Sequence, residues 1–169
     1  MACNFDDKTI RIMDIMYSSS VDGTGFRDVL FVNYCPHHCE GCHNPESWDK
    51  KNGHNETIRE IFDKLMQSSV TNVTFSGGEP FEQAEELYIL GKALKEQGKT
   101  LWAYSGYTFE QLIKDPKKKK LLEICDVLVD GKFEKDNTEL NMRFKGSLNQ
   151  RIIDVPKSLA YNKIILYIE

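Results

Sequence analysis

Cys35, Cys39 and Cys42 lie within one short stretch, Cys35-Pro36-His37-His38-Cys39-Glu40-Gly41-Cys42-His43, separated by three residues and then by two. Thiols at this spacing can converge on one inorganic centre. They number one fewer than the four ligands of a closed zinc or iron–sulfur site. A missing ligand is what a catalytic metal centre needs, because substrate has to occupy the vacancy. Two readings follow: a zinc site completed by His37, His38, His43 or His54, or an iron–sulfur cluster with one open iron.

A second constellation is Ser76-Gly77-Gly78-Glu79-Pro80. Paired glycines let a ligand approach the backbone and expose N–H groups to a carboxylate. Glu79 offers an acceptor to an ammonium, and Pro80 can begin a following helix. Donors beside a carboxylate suit the zwitterionic end of an amino acid. Without the cysteines, a plain strand-to-helix turn would be the better reading.

The elements that must position these residues show in the hydrophobic pattern. Thr9 to Met16 alternates apolar and polar residues, as a half-exposed strand does. Val29 to Val32, Val70 to Phe75, Thr100 to Tyr104 and Asp126 to Val129 read as strands. Thr57 and Glu60 form a capping box ahead of the helical stripe Ile58, Ile61, Phe62, Leu65 and Met66. Glu82 to Gln97 reads as a helix stopped by Gly98. Phe109 to Lys114 is a short helix closed by Pro116, and Lys118 to Glu123 is another. Arg151 to the end is expected to be irregular with edge strands. Strands alternating with helices predict parallel β–α units, with every strand's C-terminal end on one rim. That rim would carry the cysteine loop, the Ser-Gly-Gly-Glu-Pro turn, Ser105-Gly106-Tyr107 and Asp130-Gly131-Lys132. The fold class expected is α/β, an open partial (β/α) barrel with a mostly parallel sheet, because the chain is too short for the roughly 250 residues of a closed barrel.

The 169 residues suit a single domain spanning 1–169, with a hydrophobic share of 40% and a charged share of 28%. A net charge of −4 gives no general reason to expect nucleic acid or a membrane as partner. Lys117 to Lys120 reads as a solvated face. No apolar stretch approaches membrane-spanning length, no signal peptide is evident, and a cytoplasmic setting is expected. Five cysteines disfavour a pure disulfide framework. Cys125, within an apolar run, reads as a buried small residue, and Cys3 is uninformative.

The cysteine spacing followed by Ser-Gly-Gly-Glu-Pro resembles the radical S-adenosylmethionine enzymes. Val21-Asp22-Gly23-Thr24-Gly25-Phe26-Arg27 resembles the Val-Asp-Gly-Pro-Gly-x-Arg of their glycyl-radical activating subgroup, with Thr24 in place of proline. Asn44 to Asp49, Tyr104 to Tyr107, Val127 to Phe133 and Gly146-Ser147-Leu148-Asn149-Gln150-Arg151 are together similar to the activating-protein family of anaerobic ribonucleoside-triphosphate reductases. The match runs from about Ile10 to Val155. Lys145 stands where that family often has arginine. Many of the superfamily carry an aromatic residue just before the third cysteine, where this chain has Gly41.

The resemblance implies that Cys35, Cys39 and Cys42 ligate three irons of a 4Fe–4S cluster and that S-adenosyl-L-methionine binds the fourth. Ser76, Gly77, Gly78 and Glu79 would hold the methionine end. Packing of adenine by His43, beside Gly41 and Cys42, is expected on this chain's own sequence rather than from the resemblance; Ser105 would meet the ribose or carboxylate, and Asp130 and Lys132 would contact the cofactor. Ordinary turns remain the alternative for the last three. The implied partners are the large glycyl-radical subunit of an anaerobic ribonucleotide reductase and a low-potential donor such as flavodoxin or ferredoxin. Other readings are a pyruvate formate-lyase activase, a 7-carboxy-7-deazaguanine synthase, or a non-enzymatic zinc or iron–sulfur sensor. The Gly146 to Arg151 stretch argues against the first two.

Overall fold

A computed structural model describes residues 4, 5 and 7–169, so Cys3 lies outside the described residues. The strands are β1 (Thr9–Ser19), β2 (Arg27–Val32), β3 (His54–Thr57), β4 (Asn72–Gly77), β5 (Thr100–Ser105), β6 (Val127–Asp130) and β7 (Arg151–Asp154). They form one sheet in the order β3-β1-β2-β4-β5-β6-β7. Its four central strands, β2, β4, β5 and β6, run parallel. Antiparallel β1 and β3 flank one side and antiparallel β7 the other. The sheet ends on β3 and β7 without closing, which is the open partial barrel expected.

Helices α1 (Ile58–Gln67), α2 (Ala84–Glu96), α3 (Phe109–Leu112), α4 (Pro116–Ile124) and α5 (Val155–Tyr161) bury their apolar residues in the same core. Period-two alternation sorts the sheet's side chains between its faces. Leu101, Ala103 and Leu128 face the helices, while Trp102, Val127 and Val129 form a smaller cluster with Phe144 and Tyr167. Arg27 is buried on that second side at 1% exposure. Its guanidinium donates to Thr74 Oγ1 at 2.7 Å and Val73 O at 2.8 Å and lies 5.2 Å from the Trp102 ring. Burial without a carboxylate in contact lowers its pKa to about 10.

The capping box at α1 is present, with Thr57 and Glu60 each satisfying the other's N–H. Four departures from the sequence reading share simple causes. Pro116 opens α4 rather than closing the helix before it, with Asp115 as N-cap accepting from the N–H groups of Lys117 and Lys118. Pro156 likewise sits in the first turn of α5, in a tail expected to be irregular. The helix expected from Glu82 begins as a 3-10 turn, Pro80–Gln83, before α2. Strand β3 (His-Asn-Glu-Thr) is polar because its edge position exposes most of it. Cys125 is buried as expected; its thiol donates to Leu121 O at 3.3 Å, and burial pushes its pKa to about 12. In the Lys117 to Lys120 run, Lys117 pairs with Glu85, Lys118 with Glu82 and Lys119 with Glu123.

Candidate active site

The parallel strands end on one rim, and the loops leaving them meet there. After β2 the chain turns through Asn33 and Tyr34 into the cysteine loop. Tyr34 has φ +84°, a conformation strained for a side-chain-bearing residue. Two hydrogen bonds hold it: its N–H donates to Ser47 O at 2.6 Å, and its carbonyl accepts from Glu79 N–H at 2.8 Å. This crossing requires glycine at 78, where a Cβ would stand 2.2 Å from Tyr34 O. Gly77, with φ +97°, leaves no more room: a Cβ would lie 2.5 Å from Val32 N. The paired glycines therefore dock the end of β4 against the start of the cysteine loop. Gly78 N–H donates to Val32 O at 2.8 Å, and Glu79 N–H is taken by Tyr34. These donors, which the sequence offered to a ligand carboxylate, are already in use.

Asn33 pins the far side of the loop. Its amide donates to Ser47 O at 3.3 Å and Asp49 O at 3.0 Å, while its Oδ1 accepts from Arg11 Nε at 3.0 Å. Gln83 bonds Arg11 through both its N–H and its carbonyl, at 2.7 and 2.9 Å. Residues 44–53, including Trp48, are held in place this way. The sequence reading missed Arg11, Asn33 and Gln83, since single polar residues 72 or 22 positions apart give no local signal.

Cys35, Cys39 and Cys42 are free thiols that line one cavity of about 310 Å³. His43, Ser76, Gly77, Gly78 and Ser105 line it too. Gly41 is exposed and not part of the lining; its φ of +75° turns the chain between the second and third cysteines. Burial pushes the Cys35 thiol up to about 11, against an opposing pull from the N–H groups of His37 and His38.

Glu79 departs most from expectation. It is fully buried, at 0% exposure, and is absent from the cavity wall. One oxygen accepts from Phe81 N–H at 3.0 Å, the other from Gly106 N–H at 2.8 Å and His37 Nε2 at 2.8 Å, and the Ser105 hydroxyl reaches both at 2.9 and 3.0 Å. Four protein donors thus occupy the carboxylate expected to receive a ligand's ammonium. Glu79 instead ties the cysteine loop, the glycine turn and the Ser105-Gly106 turn together. Ser105 shares this role, since its oxygen also accepts Tyr107 N–H at 3.0 Å. The close fit shows at Gly106, where a Cβ would meet the His37 ring at 2.4 Å.

Asp130 and Lys132 are likewise placed away from the cavity. Asp130, 1% exposed, accepts from Phe109 N–H at 2.8 Å and from Arg151 at 3.0 and 2.5 Å. Lys132 is exposed and lines a separate surface cleft with Glu110 and Arg151. Asp130 belongs to the packing of β6 against β7 and α3.

The histidines bear on the zinc reading. His37 is committed to Glu79, His38 stacks on Trp48 at 4.7 Å and His54 is on β3, while His43 lines the cavity with the thiols. Among the described residues, no three His, Cys, Asp or Glu side chains converge as they would on a single ion. Three thiols spaced around a cavity do fit a cluster, because each sulfur then binds a different iron.

Comparison with known proteins bears on the kind of centre, a 4Fe–4S cluster. The family model of the 4Fe-4S single cluster domain matches residues 21–153. An anaerobic ribonucleoside-triphosphate reductase-activating protein of Enterobacteria phage T4 is 37% identical over 139 residues, covering 78% of this chain and 86% of that one. The protein of that name from Vibrio cholerae is 34% identical over 142 residues, covering 78% and 90%. Among solved structures, QueE from Escherichia coli shares the fold at TM-score 0.57 and 13% identity, over 77% of this chain and 75% of that one. The chain belongs to the 4Fe-4S single cluster domain family and to the anaerobic ribonucleoside-triphosphate reductase-activating proteins.

Proposed function

We propose that this chain activates an anaerobic ribonucleotide reductase by cleaving S-adenosylmethionine and generating a glycyl radical on that partner. The observation that carries the reading is the set of three free cysteine thiols lining one cavity beside the Gly77-Gly78 turn. Cys35, Cys39 and Cys42 would hold the 4Fe–4S cluster as its three protein ligands, and S-adenosylmethionine would bind beside them. When bound, the cluster would supply the single electron needed for reductive cleavage of S-adenosylmethionine, and so the radical chemistry that oxidises a glycine.

The chain's own residues bind, orient and exclude water. With the N–H groups of Gly78 and Glu79 committed, the Gly77-Gly78 turn would meet the methionine end through carbonyl oxygens, which accept from the N–H of its amino group. Glu79 acts through the three loops it joins. Phe31, Trp48 and Phe133 give the cavity apolar walls that limit water around a radical. The electron comes from a low-potential donor of the flavodoxin or ferredoxin kind.

The test is to mix the anaerobically reconstituted protein with the large reductase subunit, S-adenosylmethionine and a reductant. A glycyl-radical signal on the reductase, with methionine and 5′-deoxyadenosine formed alongside, is expected. Cleavage products without a radical on the reductase would reassign the partner, and no cleavage would remove the reading.

A further inference from the structure

The stretch Gly146 to Arg151 lies far from the cysteines in sequence, and the function above gives it no task. It closes a loop, residues 131–150, that connects β6 to β7 and lies over the cysteine loop. Gln150 organises the loop. Its Oε1 accepts from the N–H groups of Gly146 at 2.7 Å and Ser147 at 3.2 Å, and its Nε2 donates to Gly131 O at 2.9 Å. Asn149 donates to Lys132 O at 2.7 Å, and the Ser147 hydroxyl accepts from Glu134 N–H at 3.1 Å. The backbone on both sides of Phe133 is therefore fixed by this one stretch.

Phe133 is seated between two glycines. A Cβ on Gly146 would stand 3.0 Å from Phe133 Cδ2, and one on Gly41 would stand 3.5 Å from Cε1. The ring centroid lies 5.0 Å from that of His43, tilted by 48°. Phe133 thus touches the residues on either side of Cys42 and forms part of the cavity wall. The neighbouring aromatics are engaged elsewhere: Trp48 has one face stacked on His38, and Tyr104 donates to Phe144 O at 2.7 Å.

We propose that Phe133, with His43 beside it, is the platform on which the adenine of S-adenosylmethionine packs, and that Gly146 to Gln150 exists to hold it there. This rests on the function proposed above. A ligand with its amino-acid end at the cluster must carry its base close to the cysteines, and a purine needs a flat apolar surface there. Base–aromatic stacking is worth about ten- to a hundredfold in affinity. A side chain at Gly41, in the left-handed region and 3.0 Å from Lys135 Cβ, has no room to supply that ring itself.

The experiment titrates the reduced, cluster-loaded protein with S-adenosylhomocysteine, which carries adenine, and separately with L-methionine, which does not. Binding is read from the change in the cluster's paramagnetic resonance signal. Phe133→Leu is expected to weaken S-adenosylhomocysteine binding about tenfold and leave methionine binding unchanged. Phe133→Tyr should restore it, and Gly146→Ala, which displaces the ring, should reproduce the selective loss. Equal weakening of both ligands, or of neither, would overturn the assignment and leave the cluster site standing. A wild-type signal that responds to neither ligand would overturn the site reading itself.

Discussion

Cys39→Ala is expected to abolish S-adenosylmethionine cleavage while leaving the fold largely intact. The residue lies on a rim loop, half-buried and outside the hydrophobic core. Its backbone carbonyl, which accepts from Cys42 N–H at 3.1 Å, is retained by alanine. Loss of one thiolate leaves two ligands for a cluster that needs three from the protein. Iron content after reconstitution, 5′-deoxyadenosine production and the urea unfolding midpoint are the measurements. Cleavage at wild-type rate would remove Cys39 from the ligand set, and a collapsed unfolding midpoint would show that the loop also holds the fold.

The second large effect concerns Glu79. Changing it to alanine leaves the Ser105 hydroxyl, the N–H groups of Phe81 and Gly106, and His37 facing a buried void. Removing one partner from a buried polar network costs about 3–5 kcal/mol. Glu79→Ala is therefore expected to lower the urea midpoint strongly and to impair cluster loading, since His37 stands between Cys35 and Cys39. Glu79→Gln keeps the shape and one acceptor oxygen, but sets an NH2 group against donors. It should fall between wild type and alanine on both measurements. A carboxylate whose task was to bind a ligand's ammonium would behave differently: stability and cluster content would stay near wild type and only cofactor affinity would drop. That pattern would contradict the hub role.

The sequence and the structure agree where physics acts locally or by simple repetition. Alternating apolar strands and helices require right-handed crossovers, so the cysteine loop, the glycine turn, Ser105-Gly106-Tyr107 and Asp130-Gly131-Lys132 had to leave the same rim. Thr57 and Glu60 are three residues apart, and their capping box depends on nothing else. Prolines were harder, because Pro116 and Pro156 end one element and open another with equal ease. Only the N-cap geometry of Asp115 and Asp154 decides it.

Side-chain direction was not legible at all. Glu79 read as a cofactor contact because an acid beside paired glycines suits an amino acid's ammonium, and Asp130 because of the family its Asp-Gly-Lys turn resembles. Each turns inward, to donors supplied 26 or 27 residues later for Glu79 and by Arg151, 21 residues later, for Asp130. The spacing of Gly77 and Gly78 was visible, but their closest neighbours, Val32 and Tyr34, are more than 40 positions earlier. Phe133 was only one letter of a resembling stretch until the fold set it beside Gly41 and His43.

The central claim is that the three cysteines build a cluster with one iron open to S-adenosylmethionine. Electron paramagnetic resonance on anaerobically reconstituted, dithionite-reduced protein, with and without S-adenosylmethionine, addresses it most directly. A signal from a reduced 4Fe–4S cluster whose shape changes when S-adenosylmethionine is added is the predicted result. A cluster signal that ignores the cofactor, or a protein that takes up stoichiometric zinc and no cluster, would contradict the account.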